Sequence, residues 1–265
     1  MGPIALVREV SAAFADCVTA NPPSPPLDAG VARRQHAAYT AALADHGFTL
    51  EWVAPAPDHP DGCFVEDTAV VIDDAALLTV PGHPSRRRET TSVGEALERF
   101  VSVERMALPA TLDGGDVLQV GSTIFVGVGS RTNADGIAAL ERFAGGHGRL
   151  VVPVHTFGVL HLKSAATALD DETVLVHPAS VETDAFPGFQ TVRVVEEDPE
   201  AANVVRLPDG TLLASSAFPR TTDRLGSLGH RVATVDVSEI ARANGGLTCL
   251  SIRLRGWTDS SSLLS

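Results

Sequence analysis

A cysteine, a histidine and two groups of carboxylates are spaced along this 265-residue chain so that they could work together. Cys249 lies in Asn244-Gly-Gly-Leu-Thr-Cys-Leu-Ser-Ile-Arg-Leu254, a glycine-rich turn running into an apolar strand, so its thiol sits at the strand mouth and faces a cavity. A thiol nucleophile needs a base, and His161 in Gly158-Val-Leu-His-Leu-Lys-Ser164 can supply one. Carboxylates gather at Asp61, Glu66 and Asp67 in Asp61-Gly-Cys-Phe-Val-Glu-Asp67, and at Asp113 and Asp116 in Leu112-Asp-Gly-Gly-Asp116. Singly, these residues are unremarkable: a free cysteine is usually a small buried hydrophobe, as Cys17 and Cys63 are read here, and turn aspartates are common. Together they describe a different site. Carboxylates beside a thiol suit a planar cation better than an acyl group, because a guanidinium offers a fork of donors that carboxylate oxygens accept. Arginine chemistry is the natural expectation.

These residues need a scaffold that brings them together. Four segments pair two short Val/Ile/Leu-rich runs across a tight polar turn, the hairpin signal: Ala69–Val80, Val117–Val128, Thr167–Val176 and Val204–Ala214. Their turns, near residues 73, 121, 170 and 209, recur at 48, 49 and 39 residues, which is an internal repeat. Helical composition follows each hairpin, at Ser85–Val101, Thr132–Ala144, Ser180–Ala185 and Ala217–Leu228, with Ser85 and Thr132 placed as N-caps. Further strands follow at Arg149–Val154 and His230–Val235, so the unit is hairpin, helix, strand. Ile4–Val7 and Cys249–Leu254, strand-like runs at opposite ends, can pair to complete a fifth hairpin and leave no open sheet edge. The expectation is an α/β class fold, a five-bladed pseudo-symmetric α/β propeller around a central active-site cavity. His161 then holds the place in its repeat that the carboxylates hold in the first two, and equivalent places converge on the axis.

Composition narrows the function classes. With 44% hydrophobic and 20% charged residues the chain can build a core, and its length suits one large domain over 1–256. Residues 257–265 are expected to fray. A net charge of −13 repels phosphate backbones and anionic lipid, which argues against nucleic acid and membrane partners and for a cationic small molecule. Three cysteines do not make a disulfide framework, and there is neither a signal-peptide pattern nor an apolar run of about twenty residues. The reading is a soluble, cytoplasmic protein. Gly127-Val-Gly129 is only half a dinucleotide fingerprint, and no zinc motif occurs, so neither cofactor nor metal is expected. Thr19–Pro26, with four prolines, reads as a loop that could border a lid.

Cys-Phe-Val-Glu-Asp at 63–67, Pro-Ser-Arg-Arg at 84–87, Leu-Asp-Gly-Gly-Asp-Val-Leu at 112–118, Ser-Arg-Thr-Asn at 130–133, His-Leu-Lys-Ser at 161–164 and Gly-Leu-Thr-Cys at 246–249 together resemble the dimethylarginine dimethylaminohydrolase family. The resemblance runs in order over residues 1–256. It implies the five-bladed pentein propeller and hydrolysis of Nω-methylated arginine to citrulline without a cofactor. Position by position it implies Cys249 as nucleophile, His161 as general acid/base and Asp113 as the carboxylate orienting the histidine. Some relatives carry Glu at the place of Asp113. Glu66 and Asp67 match positions that receive the guanidinium, and Asp61 one that meets the substrate amino group. Arg86 and Arg131 match a pair holding the substrate carboxylate, and Ala243 and Asn244 a loop giving backbone contacts. The lid, somewhere in Phe14–Asp28, does not align, and the resemblance leaves room for a homodimer. Two rivals remain: arginine deiminase or another guanidine hydrolase on the same fold, and a non-catalytic binding protein on a five-fold scaffold.

Overall fold

A computed structural model describes residues 2–19, 21–182, 184–195 and 197–254. The expected tail, 257–265, lies outside them. In chain order the first elements are β1 (Ile4–Val7), α1 (Ala29–Asp45), β2 (Thr49–Trp52), β3 (Ala69–Ile72), β4 (Ala75–Leu78), α2 (Thr90–Leu97) and β5 (Ser102–Arg105). There follow β6 (Val117–Val120), β7 (Thr123–Val128), α3 (Ala134–Gly146), β8 (Leu150–His155), α4 (Leu162–Ala165), β9 (Ala166–Ala168), β10 (Thr173–Val176) and β11 (Gln190–Arg193). The last are β12 (Val205–Arg206), β13 (Leu212–Ser215), α5 (Pro219–Ser227), β14 (Val232–Val235), α6 (Ser238–Arg242) and β15 (Ile252–Leu254).

These strands form five three-stranded sheets, each with an antiparallel hairpin whose second strand pairs parallel with a third: β3-β4-β5, β6-β7-β8, β9-β10-β11, β12-β13-β14 and β15-β1-β2. The fifth joins the two ends of the chain, with Ile4 opposite Leu254 and Leu6 opposite Ile252. A parallel third strand needs a crossover, and α2, α3, α5 and α1 provide it in four blades.

The middle strands are continuously apolar because both of their faces are buried. Successive side chains point to opposite faces, so each middle strand feeds two cores: Ile124 and Val126 pack with Leu77 and Leu112, while Phe125 packs with Val174 and Phe186. In the same way Leu212 and Ala214 serve one core and Leu213 the next, and Ile4 and Leu6 one core and Ala5 and Val7 another. Five inter-blade cores therefore close a ring. The five-bladed propeller read from the repeat is the architecture found.

Three local expectations are corrected, and one helix is added. Ser85 is no helix cap: Pro84–Glu89 forms a tight 3-10 turn before α2, and the Ser85 hydroxyl bonds His83 Nδ1 at 2.7 Å. Thr132 is not the cap of α3 either, because its hydroxyl is committed to Asp116 at 2.6 Å; the neighbouring Asn133 caps instead, accepting from Gly136 N at 2.8 Å. Ser180–Ala185 contains no helix among the described residues. It lies between Pro178 and Pro187, Ser180 O accepts from Phe157 N, and the segment fills the core by placing Phe186 and Phe189 edge-on to Phe125. Finally, α1 is a crossover that the hairpin pattern does not reveal. It starts at Asp28, whose side chain accepts from Gly30 N and Val31 N.

Candidate active site

The inner strand of each blade is entered from a short helical turn. These are Val65–Thr68 before β3, Gly114–Asp116 before β6, α4 before β9, Pro199–Ala202 before β12 and Thr248–Leu250 before β15. Val65–Thr68 touches Gly114–Asp116 and Thr248–Leu250, and α4 touches Gly114–Asp116 and Pro199–Ala202, so the turns ring the axis. A narrow pocket opens among them, with Cys249, His161, Asp67, Asp61 and Arg131 on its wall.

His161 immediately precedes α4, in extended backbone, and its Nε2 meets Asp113 Oδ2 at 3.0 Å. Its Nδ1 lies 3.9 Å from Asp67 Oδ1. Asp113 is fully buried, and its second oxygen accepts from Gly82 N at 2.8 Å, which fixes the carboxylate against the ring. The two glycines of Leu-Asp-Gly-Gly-Asp follow from this crowding: a Cβ on Gly115 would stand 2.7 Å from both His161 Nδ1 and Asp67 Oδ1, and one on Gly114 would strike the Glu66 carbonyl. Asp116 accepts from Leu162 N at 3.0 Å and ties α4 to this turn.

The carboxylates differ in their partners. Asp67 accepts from Gly115 N at 2.9 Å and pairs with Arg86 Nη1 at 2.5 Å. Glu66 stands outside the pocket wall, its Oε1 held by Lys163 Nζ at 2.6 Å and Arg253 Nη2 at 3.3 Å, while Oε2 is buried without a hydrogen-bond partner among the described residues. Both Asp61 oxygens receive the Val18 N–H at 3.2 Å, which brings one residue of the Phe14–Asp28 stretch to the pocket. That stretch is tied down at its far end too, where Asp28 N donates to Glu239 Oε1 and Arg242 bonds the Pro25 carbonyl.

The two arginines expected to act alike both line the pocket but differ in their partners. Every nitrogen of buried Arg86 already bonds within the protein, to Glu89, Asp67 and the carbonyl of Phe64. The side chain of Arg131 is 14% exposed, and the ion pair it makes, to Asp113, is long at 3.8 Å. Ala243 and Asn244 line the pocket where α6 ends, and Asn244 takes a left-handed backbone at φ 60° that asparagine tolerates well.

The charges follow from burial and neighbours. Burial pushes the Cys249 thiol up to about 12, with Asp67 and Glu66 adding to the rise and Lys163 opposing it. Burial alone would lower His161, but Asp67, the Asp113 hydrogen bond and Asp116 outweigh it and hold the ring up at about 9. Burial would raise Asp67, yet His161 and Arg86 bring it down to about 2. The resting site therefore combines a protonated thiol, an imidazolium and an ionised carboxylate. Asp67, Asp113 and His161 bring one ligand atom each within 4.8 Å of one another, the chemistry of a cation site, but Arg86 already supplies a positive charge to Asp67.

Residues 56–204 match the arginine deiminase family. Over 253 residues, 95% of this chain and 96% of the relative, the sequence is 45% identical to N(G),N(G)-dimethylarginine dimethylaminohydrolase of Streptomyces coelicolor. The chain belongs to the dimethylarginine dimethylaminohydrolase family. Among solved structures, that enzyme from Pseudomonas aeruginosa, a cysteine-to-serine variant in complex with citrulline, superposes with a TM-score of 0.89 at 30% identity, covering 96% of this chain and all of that one. A dimethylarginine dimethylaminohydrolase histidine-to-glycine variant, an adduct with S-methyl-L-thiocitrulline, superposes at 0.90 with 31% identity over 96% of this chain and all of that one.

Several residues of this family site escape a motif reading. Lys163, the single lysine of the chain, braces Glu66 and carries its own signal, two places after His161. Glu89 bonds Arg86 from i+3, a spacing that places side chains side by side on one helical face. Arg253, Asn203 and Thr248 give no local sign of their place in the site, because Arg253 reaches Glu66 from 187 residues away and Asn203 reaches Lys163 and Thr248 from 40 and 45.

Proposed function

We propose that this protein hydrolyses Nω-methylated arginine to citrulline and the corresponding methylamine through a covalent adduct on Cys249. The observation that carries the reading is an ionised Asp67 in one pocket with the Cys249 thiol and the His161 imidazolium, 3.9 Å from the latter. A substrate guanidinium on Asp67, with Glu66 behind it, offsets the negative charges that hold the thiol proton, so the thiol gives its proton to solvent and thiolate forms as the cation arrives. The thiolate attacks the guanidinium carbon, giving a carbon bonded to three nitrogens and sulfur. His161 gives its proton to the methylated nitrogen, the C–N bond breaks, and a thiouronium on Cys249 remains. The neutral imidazole then takes a proton from water as the oxygen adds to the same carbon. Collapse breaks the C–S bond, returns the thiolate and gives citrulline, the hydroxyl proton passing to solvent. Asp113 keeps the ring oriented throughout. Arg131, with donors to spare, takes the substrate carboxylate, Asp61 the amino group, and the Ala243–Asn244 backbone the connecting chain. Arg86 serves by holding Asp67 in place.

The test is the set of products. Asymmetric dimethylarginine should give dimethylamine and citrulline in equal amounts, and Cys249→Ser should abolish release while keeping the melting temperature. Ammonia from arginine at a comparable rate would favour a deiminase, and turnover by Cys249→Ser within about tenfold of the parent would remove the cysteine from its role.

A further inference from the structure

Of the five turns around the axis, Pro199–Ala202 neither holds nor adjoins a residue placed in the mechanism, and the residue that follows it, Asn203, takes no part in the steps above. Asn203 is 8% exposed, and both polar atoms of its carboxamide are bonded within the protein. Oδ1 accepts from Thr248 N at 3.1 Å, and Nδ2 donates to the Lys163 carbonyl at 2.9 Å and to Thr248 Oγ1 at 3.0 Å. The orientation of the amide follows from its partners, since a backbone N–H only donates and a carbonyl only accepts. One anchor precedes Cys249 by a single residue, and the other follows His161 by two. The fit is close: a Cβ on Gly246 would lie 2.7 Å from Asn203 Cγ and Oδ1 and 2.9 Å from Nδ2, so glycine at 246 is what lets the carboxamide in. The His161 segment is held from its other side by Asp116 at Leu162 N.

We propose that Asn203 is a positioning residue that sets the separation of the His161 ring from the Cys249 sulfur, by tying the two segments to one rigid carboxamide. The proposal rests on the roles given to Cys249 and His161 above. Proton transfer to a leaving group on the carbon that is bonded to the cysteine sulfur requires both side chains to be fixed within a fraction of an ångström. Asn203 touches neither and acts through the backbone that carries them.

Asn203→Asp separates the two tethers. An aspartate keeps the acceptor for Thr248 N, and Thr248 Oγ1 can turn and donate to it, but a carboxylate oxygen cannot donate to the Lys163 carbonyl. The histidine side is then released while the cysteine side stays. The readout compares two substrates. Dimethylarginine needs a proton from His161 on its departing amine, whereas S-methyl-L-thiocitrulline loses methanethiolate without one. For Asn203→Asp the kcat for dimethylamine release should fall by about tenfold or more, with KM within about threefold, and the burst of methanethiol should fall by no more than about threefold. Equal losses on both substrates, as a partly unfolded enzyme would show, or no loss on either, overturn the proposal. Should Asn203→Asp fail to fold, Thr248→Val deletes one Asn203 bond and leaves the residue in place. It should slow both dimethylamine release and iodoacetamide labelling of Cys249, and unchanged rates for both overturn the proposal. Failure of the underlying reading is seen separately, as absent dimethylamine release by the parent enzyme or its persistence in Cys249→Ser, and would take the proposal with it.

Discussion

At the scale of single residues, the proposed nucleophile Cys249 rests as a thiol, held up at about 12, while His161, at about 9, already carries the proton it would deliver. Iodoacetamide, which is neutral, should therefore alkylate Cys249 slowly at pH 7, its rate rising about tenfold per pH unit to at least pH 9 as thiolate forms. An amidinium-bearing alkylating reagent brings its own cation to Asp67 and should react far faster at pH 7, with a rate that levels off at lower pH. An iodoacetamide rate that is already level near pH 7 would show a low-pKa thiol and overturn this picture. Specificity at the far end of the substrate turns on Arg131. Agmatine presents the guanidinium without a carboxylate and leaves Arg131 unmatched in a partly desolvated pocket, and losing such a contact costs on the order of 2–5 kcal/mol. Agmatine-type substrates should fall below arginine-type ones by about a hundredfold or more in kcat/KM, and Arg131→Ala should narrow the gap by harming dimethylarginine selectively. Equal kcat/KM for both types in the unmodified enzyme would sink the clamp.

At the scale of elements, two adjacent residues divide stability from catalysis. Asn133 caps α3 and its Oδ1 also receives Thr111 N at 3.0 Å, so Asn133→Ala should cost about 1–2 kcal/mol and lower the melting temperature by several degrees while leaving kcat near normal. Thr132 instead donates to Asp116 and accepts from Asp113 N, so Thr132→Val should lower kcat more than it lowers the melting temperature. The reverse pattern would make Thr132 the cap after all. The sequence pattern favours the wrong residue of this pair because both types cap well, and the choice is made by Asp116, which no local pattern places beside Thr132. Hairpins were legible because their strands are apolar on both faces and their turns are polar. Helix α1 was harder to see: its apolar content is largely alanine at Ala29, Ala32, Ala37, Ala38, Ala41, Ala42 and Ala44, which gives little contrast with its polar face, although Asp28 was a readable start signal. The same logic divides the site. Asp61, Glu66, Asp67, Asp113 and His161 announce themselves in short motifs, whereas Asn203 and Arg253 acquire meaning only when the ring closes and brings distant turns together.

At the scale of the whole molecule, the ring is sealed by its own termini. The β15–β1 ladder places Ile4 opposite Leu254, and Ile252 and Leu254 fill the same core as Val65, Ala69 and Leu78, directly behind the turn that carries Glu66 and Asp67. Chain continuity is therefore dispensable at other points of the ring, provided the ends near β1 and β15 are joined. Gly229, at φ 92° in the exposed turn between α5 and β14, is a suitable place to open it, since the surrounding positions carry no residue of the pocket and the break leaves all five inter-blade cores with their full set of side chains. A permutant that begins at His230, runs through residue 254, passes by a short glycine-serine linker to residue 3 and ends at Gly229 should fold as a monomer or in the parent's oligomeric state and keep kcat/KM within about threefold. Removing residues 252–265 from the parent chain should have the opposite effect, stripping β1 of its antiparallel partner and exposing Ile4 and Leu6, with loss of both cooperative melting and turnover. Retained activity in the truncated chain, or an unfolded permutant, would mean that the ends do not close the ring, and the argument that residues from five blades meet on one axis would lose its basis.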